Sequence, residues 1–367
     1  MKYAKPFKTI KDIENVSIND LRYIPLVNII VPAWNEGEIF RKCLKSITEL
    51  KYPKLNVIVN AGGSIKTINI ANSFKEYDYF TILAQEGGGK IKALNECLSY
   101  ITEGVLYLVD ADVCFTDEIL LRMLIPITNY NENVVVGGIR PFKDQENKVL
   151  LKYLLRNRNF DYRQRFSRYI QTQISGANTC ITYKVMKAIG KFSENTIWAE
   201  DVSRGADILS KDFKIYRLID YRARIYSKFP DTIKEWAKQK IRWNQNYFIF
   251  SFHNKKVNLI KIMILFLMSL YLIIFPILFL FHLALVLFGI YLIFSLYLKK
   301  LRKILFYKMT IEKQYLQKLN ALFFLKIIIY MYIEALFYIY IVFESIFIKS
   351  KFNKRKNLNL PSKLDKF

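Results

Sequence analysis

The chain has 367 residues, 52% of them hydrophobic and 16% aromatic, and its 56 Lys plus Arg against 31 Asp plus Glu leave a formal charge of +25. That excludes a small stapled domain and an acidic disordered chain, and it supplies apolar material for about two compact units. The four cysteines, Cys43, Cys97, Cys114 and Cys180, form no C-x-x-C pair and the only histidines are His253 and His282, so neither a disulfide framework nor a zinc site is expected.

Taken in chain order, residues 1–25 form an N-terminal extension whose Lys2, Lys5, Lys8 and Lys11 precede any sustained apolar run, which is not the pattern of a signal peptide. Buried thiols and the lack of a signal predict a soluble part facing the reducing cytosol. Val27 to Val31, closed by Pro32, and Val57 to Val59, followed by Ala61-Gly62-Gly63, read as buried parallel strands ending in loops. Helical spacing over 37–50 lies between them. A helix-like stretch at 66–77 leads to a strand at 79–83, and another at 90–101 leads to a strand at 105–109. Four alternations predict an α/β domain over 26–235 with a doubly wound sheet, its ligand lying beyond the carboxyl ends of the strands.

Asp110-Ala111-Asp112 follows such a strand. In extended backbone the two carboxylates project to one side and can share a divalent cation, Mg²⁺ or Mn²⁺, although carboxylates there also cap turns. Gly87-Gly88-Gly89-Lys90 fails the phosphate-loop pattern, because Ile91 follows the lysine and Ala84 holds the first glycine position. A pliable backbone and one cation before a helix still suit a phosphate. Glu200-Asp201 offers a second carboxylate pair. In the helix over 236–256, Gln239, Arg242 and Trp243 share one face, where an amide, a guanidinium and an indole can hold a phosphate and stack a sugar. The aromatic residues of the same helix suit a bilayer interface.

Residues 262 to 298 contain no Asp, Glu, Lys or Arg. One helix of that length would measure about 55 Å, nearly twice the hydrocarbon thickness, so a transmembrane hairpin over 257–298 is expected, turning between Pro276 and Gly289. Basic residues on both flanks predict cytosolic ends. A basic loop over 299–320 suits an anionic lipid surface, 321–348 is a third spanning or re-entrant segment, and 349–367 is a basic tail. Glu334 within that third segment is either an intramembrane polar site or a partner for Lys326 or another helix. The run Arg156, Arg158, Arg163, Arg165 and Arg168 is a solvated helix face or a headgroup contact. Because the basic clusters border apolar spans, the membrane accounts for the charge better than nucleic acid does.

In order and spacing, Val31 to Glu36, Lys90 with Ala93-Leu94-Asn95, Asp110-Ala111-Asp112, Ser175 to Asn178, Glu200-Asp201 and Gln239 to Trp243 resemble the family-2 inverting glycosyltransferases of the GT-A fold. The likeness is to membrane-bound members with a Q-x-x-R-W motif, and it covers residues 27 to 243. It implies a GT-A sheet followed by C-terminal transmembrane helices, a nucleotide-sugar donor, a lipid or lipid-linked glycan acceptor, and a multi-pass place in the cell membrane with the catalytic domain facing the cytosol. Pro32, Trp34 and Glu36 would line the nucleotide pocket, Lys90 would reach the donor, and Asp110 and Asp112 would hold donor and metal. Asp201 would be the general base and Glu200 an acceptor contact; Gln239, Arg242 and Trp243 would grip the diphosphate and the acceptor. One departure stands out: Asn60-Ala61-Gly62-Gly63-Ser64-Ile65 lacks the acids with which the family serves the nucleobase and ribose. Two or three spans offer little to enclose a product channel, which favours single transfer over a processive synthase; a non-catalytic adaptor is the reading from another class.

Overall fold

The computed structural model describes residues 15–142, 168–170, 173–193, 200–253, 259–278, 286–298 and 321–356. The arginines from 156 to 165, the basic loop 299–320 and the end of the basic tail lie outside them. The described residues fall in two compact units, one taking those up to Phe142 and on through Lys228, the other those from Phe229 onward.

In the first unit, β1 (Val27–Trp34), β2 (Leu55–Gly62), β3 (Phe80–Gln85) and β4 (Val105–Leu108) pair in parallel in the order β3-β2-β1-β4. The connections between them are the helices α1 (Glu38–Thr48), α2 (Ile65–Asn72) and α3 (Gly89–Leu98). These strands are near-continuous apolar runs because both faces are covered. Ile29, Val31, Val57 and Val59 face a core shared with α1, while Ile30, Ile58, Leu106 and Leu108 face Leu94 and Cys97 of α3. This half matches the sequence expectation, with two differences. The strand expected to close at Pro32 runs on to Trp34, because Pro32, Ala33 and Trp34 still lie opposite Asn60, Ala61 and Gly62 of β2, itself longer than expected. The helix expected over 66–77 ends at Asn72, where the backbone tightens into three-residue turns (Phe74 N to Ala71 O, Tyr77 N to Phe74 O) that stack Phe74 on Tyr77 and Phe80.

Beyond β4 the sheet continues through strands too short for a sequence pattern, with three helices among them. These are β5 (Val113–Cys114), α4 (Asp117–Tyr130), β6 (Val134–Val136), β7 (Ile139–Pro141), β8 (Arg168–Ile170), β9 (Thr179–Thr182), α5 (Tyr183–Ile189), α6 (Glu200–Ser210), β10 (Ile215–Arg217) and β11 (Ile225–Ser227). The large sheet has the order β3-β2-β1-β4-β9-β6-β10-β8, with β9 antiparallel to both neighbours, and β5-β11-β7 form a small second sheet. Asn178 joins the two sheets: its Oδ1 accepts from the Tyr107 hydroxyl at 2.9 Å and its Nδ2 donates to the Gly138 and Ala223 carbonyls at 2.8 and 3.1 Å.

The second unit is helical, with α7 (Ile233–His253), α8 (Leu259–Leu278), α9 (Val286–Leu298) and α10 (Ala321–Lys356); α7 and α8 both pack on α10. Among the described residues one run, Lys326–Phe343 in α10, is long and apolar enough to cross a membrane, while Met263–Phe275 and Val286–Leu298 are shorter apolar helices. The turn expected between Pro276 and Gly289 falls mostly on residues outside the described ones, since α8 runs on through Pro276 and α9 has begun before Gly289. Gly289 sits against the Phe275 ring, where any side chain would collide.

Candidate active site

The carboxyl ends of β1, β3 and β4 converge with the start of α6. After β4 the Val109 amide still bonds to the Ile30 carbonyl at 3.2 Å, then Ala111 and Asp112 turn the chain into β5. Asp110 thus precedes the turn and Asp112 lies within it, where the spacing alone suggests continuous extended backbone. Their charges both act on Glu36, whose carboxyl is pushed upward by burial and further by Asp112 and Asp110.

Lys90 enters the same place from β3. Gly87, Gly88 and Gly89 take φ values of 115°, 85° and 77°, a run that side chains would resist, and this tight turn sets Lys90 in the first turn of α3. Its Nζ lies 2.6 Å from Asp110 Oδ1 and 2.7 Å from Glu200 Oε1. Burial disfavours the ammonium, but the two carboxylates outweigh it and hold the lysine above its ordinary range, fully charged. Gly176 keeps this junction open: a Cβ there would stand 3.2 Å from Lys90 Nζ, 3.6 Å from Glu200 Oε1 and 3.9 Å from Asp110 Oδ1.

Asp201 follows Glu200 in the first turn of α6, where unpaired amides favour a negative charge. Its Oδ1 accepts from the Val202 amide at 2.9 Å, and its carbonyl accepts from the Ile174 amide at 3.1 Å. Burial, with Glu200 and Asp110 adding to it against Lys90 and the Val202 amide, pushes the Asp201 carboxyl up to about 6. Asp201, Glu200 and Lys90 line a pocket with Pro32, Leu94, Leu108, Ile174, Gly176 and Phe192.

Two side chains hold this pocket in shape, Asn95 from a stretch the sequence singled out and Arg204 from outside any motif. Asn95 of α3 clasps Phe192, its Oδ1 accepting from the amide at 2.7 Å and its Nδ2 donating to the carbonyl at 3.0 Å. Arg204, one turn after Glu200 and fully buried, donates to the Gly190 and Lys191 carbonyls at 2.7 and 3.1 Å, and its guanidinium carbon lies 4.2 Å from the centre of the Phe192 ring. Burial lowers its pKa to about 10, with Asp207 opposing. Helices α3 and α6 are thus joined twice, at Lys90–Glu200 and through Asn95, Phe192 and Arg204.

At the end of β1, Trp34 is exposed and lies over Gly62 and Gly63, where any Cβ would press into the indole. Asn60, at the position of a missing acid, is buried under α3: its Nδ2 donates to Glu96 Oε2 at 2.7 Å and to the Ala93 carbonyl at 3.3 Å. Gln239, Arg242 and Trp243 belong to the helical unit. There Trp236 and Lys240 turn toward α10, and Arg242 and Trp243 are exposed.

Among the described residues no group of three or more His, Cys, Asp or Glu closes a metal cage. Asp110 and Glu200 meet at Lys90, Asp110 and Asp112 both act on Glu36, and carboxylate oxygens are the hard donors that Mg²⁺ or Mn²⁺ takes.

Residues 28–190 match the family described as Glycosyl transferase family 2; the match stops before Glu200-Asp201. Two curated relatives align over most of the chain: "Probable glycosyltransferase YdaM" of Bacillus subtilis, 24% identical over 61% of this chain and 56% of its own, and "Poly-beta-1,6-N-acetyl-D-glucosamine synthase" of Staphylococcus epidermidis, 26% identical over 60% and 54%. The chain thus spans little more than half the length of these relatives. A solved mannosyltransferase from Pyrobaculum calidifontis, in complex with GDP-Man and Mn²⁺, shares the fold with a TM-score of 0.54 at 17% identity, covering 89% of this chain and 88% of that one.

Proposed function

We propose that the protein is a metal-dependent inverting glycosyltransferase that moves a sugar from a nucleotide-sugar to a membrane lipid or lipid-linked glycan. The observation that carries this reading is the meeting of Lys90, Glu200 and Asp201 in one pocket, with Asp110 2.6 Å from the Lys90 ammonium and the Asp201 carboxyl near 6. A base poised about one unit below neutral pH is ionised in the cell and still able to take a proton. Asp201 accepts the proton of the acceptor hydroxyl as that oxygen bonds to the anomeric carbon. The bond from that carbon to the donor phosphate breaks, and its electron pair leaves with the nucleoside diphosphate. Lys90 lies where it can neutralise the departing charge, Glu200 orients the acceptor, and Pro32, Trp34 and Glu36 flank the nucleotide. Asp110 and Asp112 would hold a divalent cation, which supplies further charge neutralisation to the leaving diphosphate. Gln239, Arg242 and Trp243 of the Q-x-x-R-W motif grip the diphosphate and the acceptor.

The apolar run of α10, the uncharged stretch 262–298 and the basic residues flanking them support a multi-pass place in the cell membrane, with the pocket on the cytosolic side. The name of the Staphylococcus relative favours a second reading, a processive synthase. The test is to incubate the protein in native lipid extract with Mg²⁺ or Mn²⁺ and a panel of nucleotide-sugars, following nucleoside diphosphate release and product length. Release from one donor, abolished by chelator and in D201N, supports transfer; a ladder of lengths selects the synthase. No turnover together with no donor binding selects an adaptor that keeps the fold.

A further inference from the structure

We propose that the ion pair between Lys240 and Glu334 is a register pin that fixes the rotation and height of the Q-x-x-R-W helix on α10, making both residues positioning residues. Lys240 Nζ lies 3.0 Å from Glu334 Oε1, and the two side chains are only 19% and 13% exposed. Glu334 stands within the apolar run Lys326–Phe343, the setting in which a carboxylate is most costly and a partner most needed. The ring contacts one turn before the pair are apolar and rotationally permissive, and Tyr338 adds a further contact to the ammonium. One turn before Lys240, the Trp236 ring meets Tyr330 and Phe337 edge-on at 6.0 and 5.1 Å between centroids, and Lys240 itself lies 5.5 Å from the centre of the Tyr338 ring.

Aromatic edges of this kind pack in several registers, whereas a buried charge pair is satisfied in one. A pair of apolar residues would pack here with less desolvation, so the value of the charges lies in specificity. The consequence falls on the neighbouring positions. With Trp236 and Lys240 turned to α10, Arg242 and Trp243 are left exposed. A shift of one helix position would rotate them by about 100°. Glu334 is thereby accounted for by Lys240, a residue 94 positions away, and not by Lys326.

This inference rests on the reading that the motif helix holds the donor diphosphate, and its test separates the two. The full chain in native lipid is compared as K240M, E334Q and the exchange K240E/E334K, with R242A as the control on the motif. Each single variant should raise the donor KM about tenfold with kcat within about threefold, and the exchange should return KM to within about threefold of the parent. Unchanged KM in both single variants, or an exchange no better than either one, overturns the pin. If R242A leaves KM unchanged, the reading of the motif fails instead. Register is then followed without activity, by disulfide formation in a W236C/F337C background. That rate should fall about tenfold in K240M and recover in the exchange; equal rates in all variants overturn the pin.

Discussion

Lys90 and Lys240 each place an ammonium against a buried or half-buried carboxylate, yet the regions around them are balanced differently. Lys240 meets Glu334 one to one on two packed helices, and the result is a neutral junction inside apolar surroundings. Lys90 bridges Asp110 and Glu200 while Glu36, Asp112 and Asp201 bear on the same place, so negative charge is left in excess. A balanced pair specifies geometry; an unbalanced cluster is a demand for a further cation and a reason for one carboxyl to hold its proton longer. Burial raises both Glu36 and Asp201, and the neighbouring carboxylates add to it.

The comparison breaks most completely at Asp201. D201N should lower transfer by about a thousandfold or more, measured as nucleoside diphosphate release. It should not lower the melting temperature at pH 8. A carboxyl raised from 3.8 to about 6 in the folded state stabilises the fold below its unfolded pKa, and that contribution is gone once pH exceeds the folded value. The ionised group therefore opposes folding at pH 8, and removing it relieves the fold. A loss of melting temperature in D201N would count against the charge excess.

Next in size is K90M. Removing the ammonium leaves Asp110 and Glu200 facing each other unneutralised and takes a cation from the departing diphosphate, so kcat should fall about a hundredfold. The Asp201 carboxyl should rise further, since Lys90 is what opposes its neighbours. In the parent, kcat/KM should fall about tenfold between pH 7 and pH 5, with half its plateau near pH 6; in K90M that midpoint should move upward. A midpoint that stays in place would show that Lys90 does not neutralise this cluster.

The smallest effect distinguishes two buried arginines. Arg122 is neutralised by Glu118 at 2.9 Å and Asp220 at 3.0 Å, and R122M would strand Asp220 in the interior, costing about 3 to 5 kcal/mol of stability. Arg204 serves neutral carbonyls, so R204M should cost less, about 1 to 3 kcal/mol, but lower kcat about tenfold because α6 carries Glu200 and Asp201. Denaturant melts and kcat on the two variants should therefore rank in opposite orders. The same order in both would reduce Arg204 to a stabilising residue.

The parallel half of the sheet was legible because its strands are long apolar runs closed by Pro, Gly or Asp, each followed by a helical stripe. The rest was not, because β5 to β11 are two to four residues long, shorter than any period can register. Of the site, the carboxylates and Lys90 could be read from position after a strand. Gly176 stood in the stretch Ser175 to Asn178, but Phe192 and Arg204 could not be read: what they contribute is a clasped backbone and a fork aimed at carbonyls, and neither has a spacing. The D-x-D spacing suggested extended backbone, and the turn after Asp110 replaced it. Lys240 lies inside the Q-x-x-R-W motif at one of its unspecified positions, so the motif's spacing does not single it out.

The indole of Trp34 resting on Gly62 and Gly63 bears on how such chains can diverge. A methyl group at either glycine would strike the ring, but at Gly62 it would also strike the Gln85 carbonyl, and at Gly63 it would meet Asn35 Oδ1 on a backbone with φ of 82°. Loss of the indole therefore opens neither position. Among descendants of this sequence both glycines should persist even where position 34 changes.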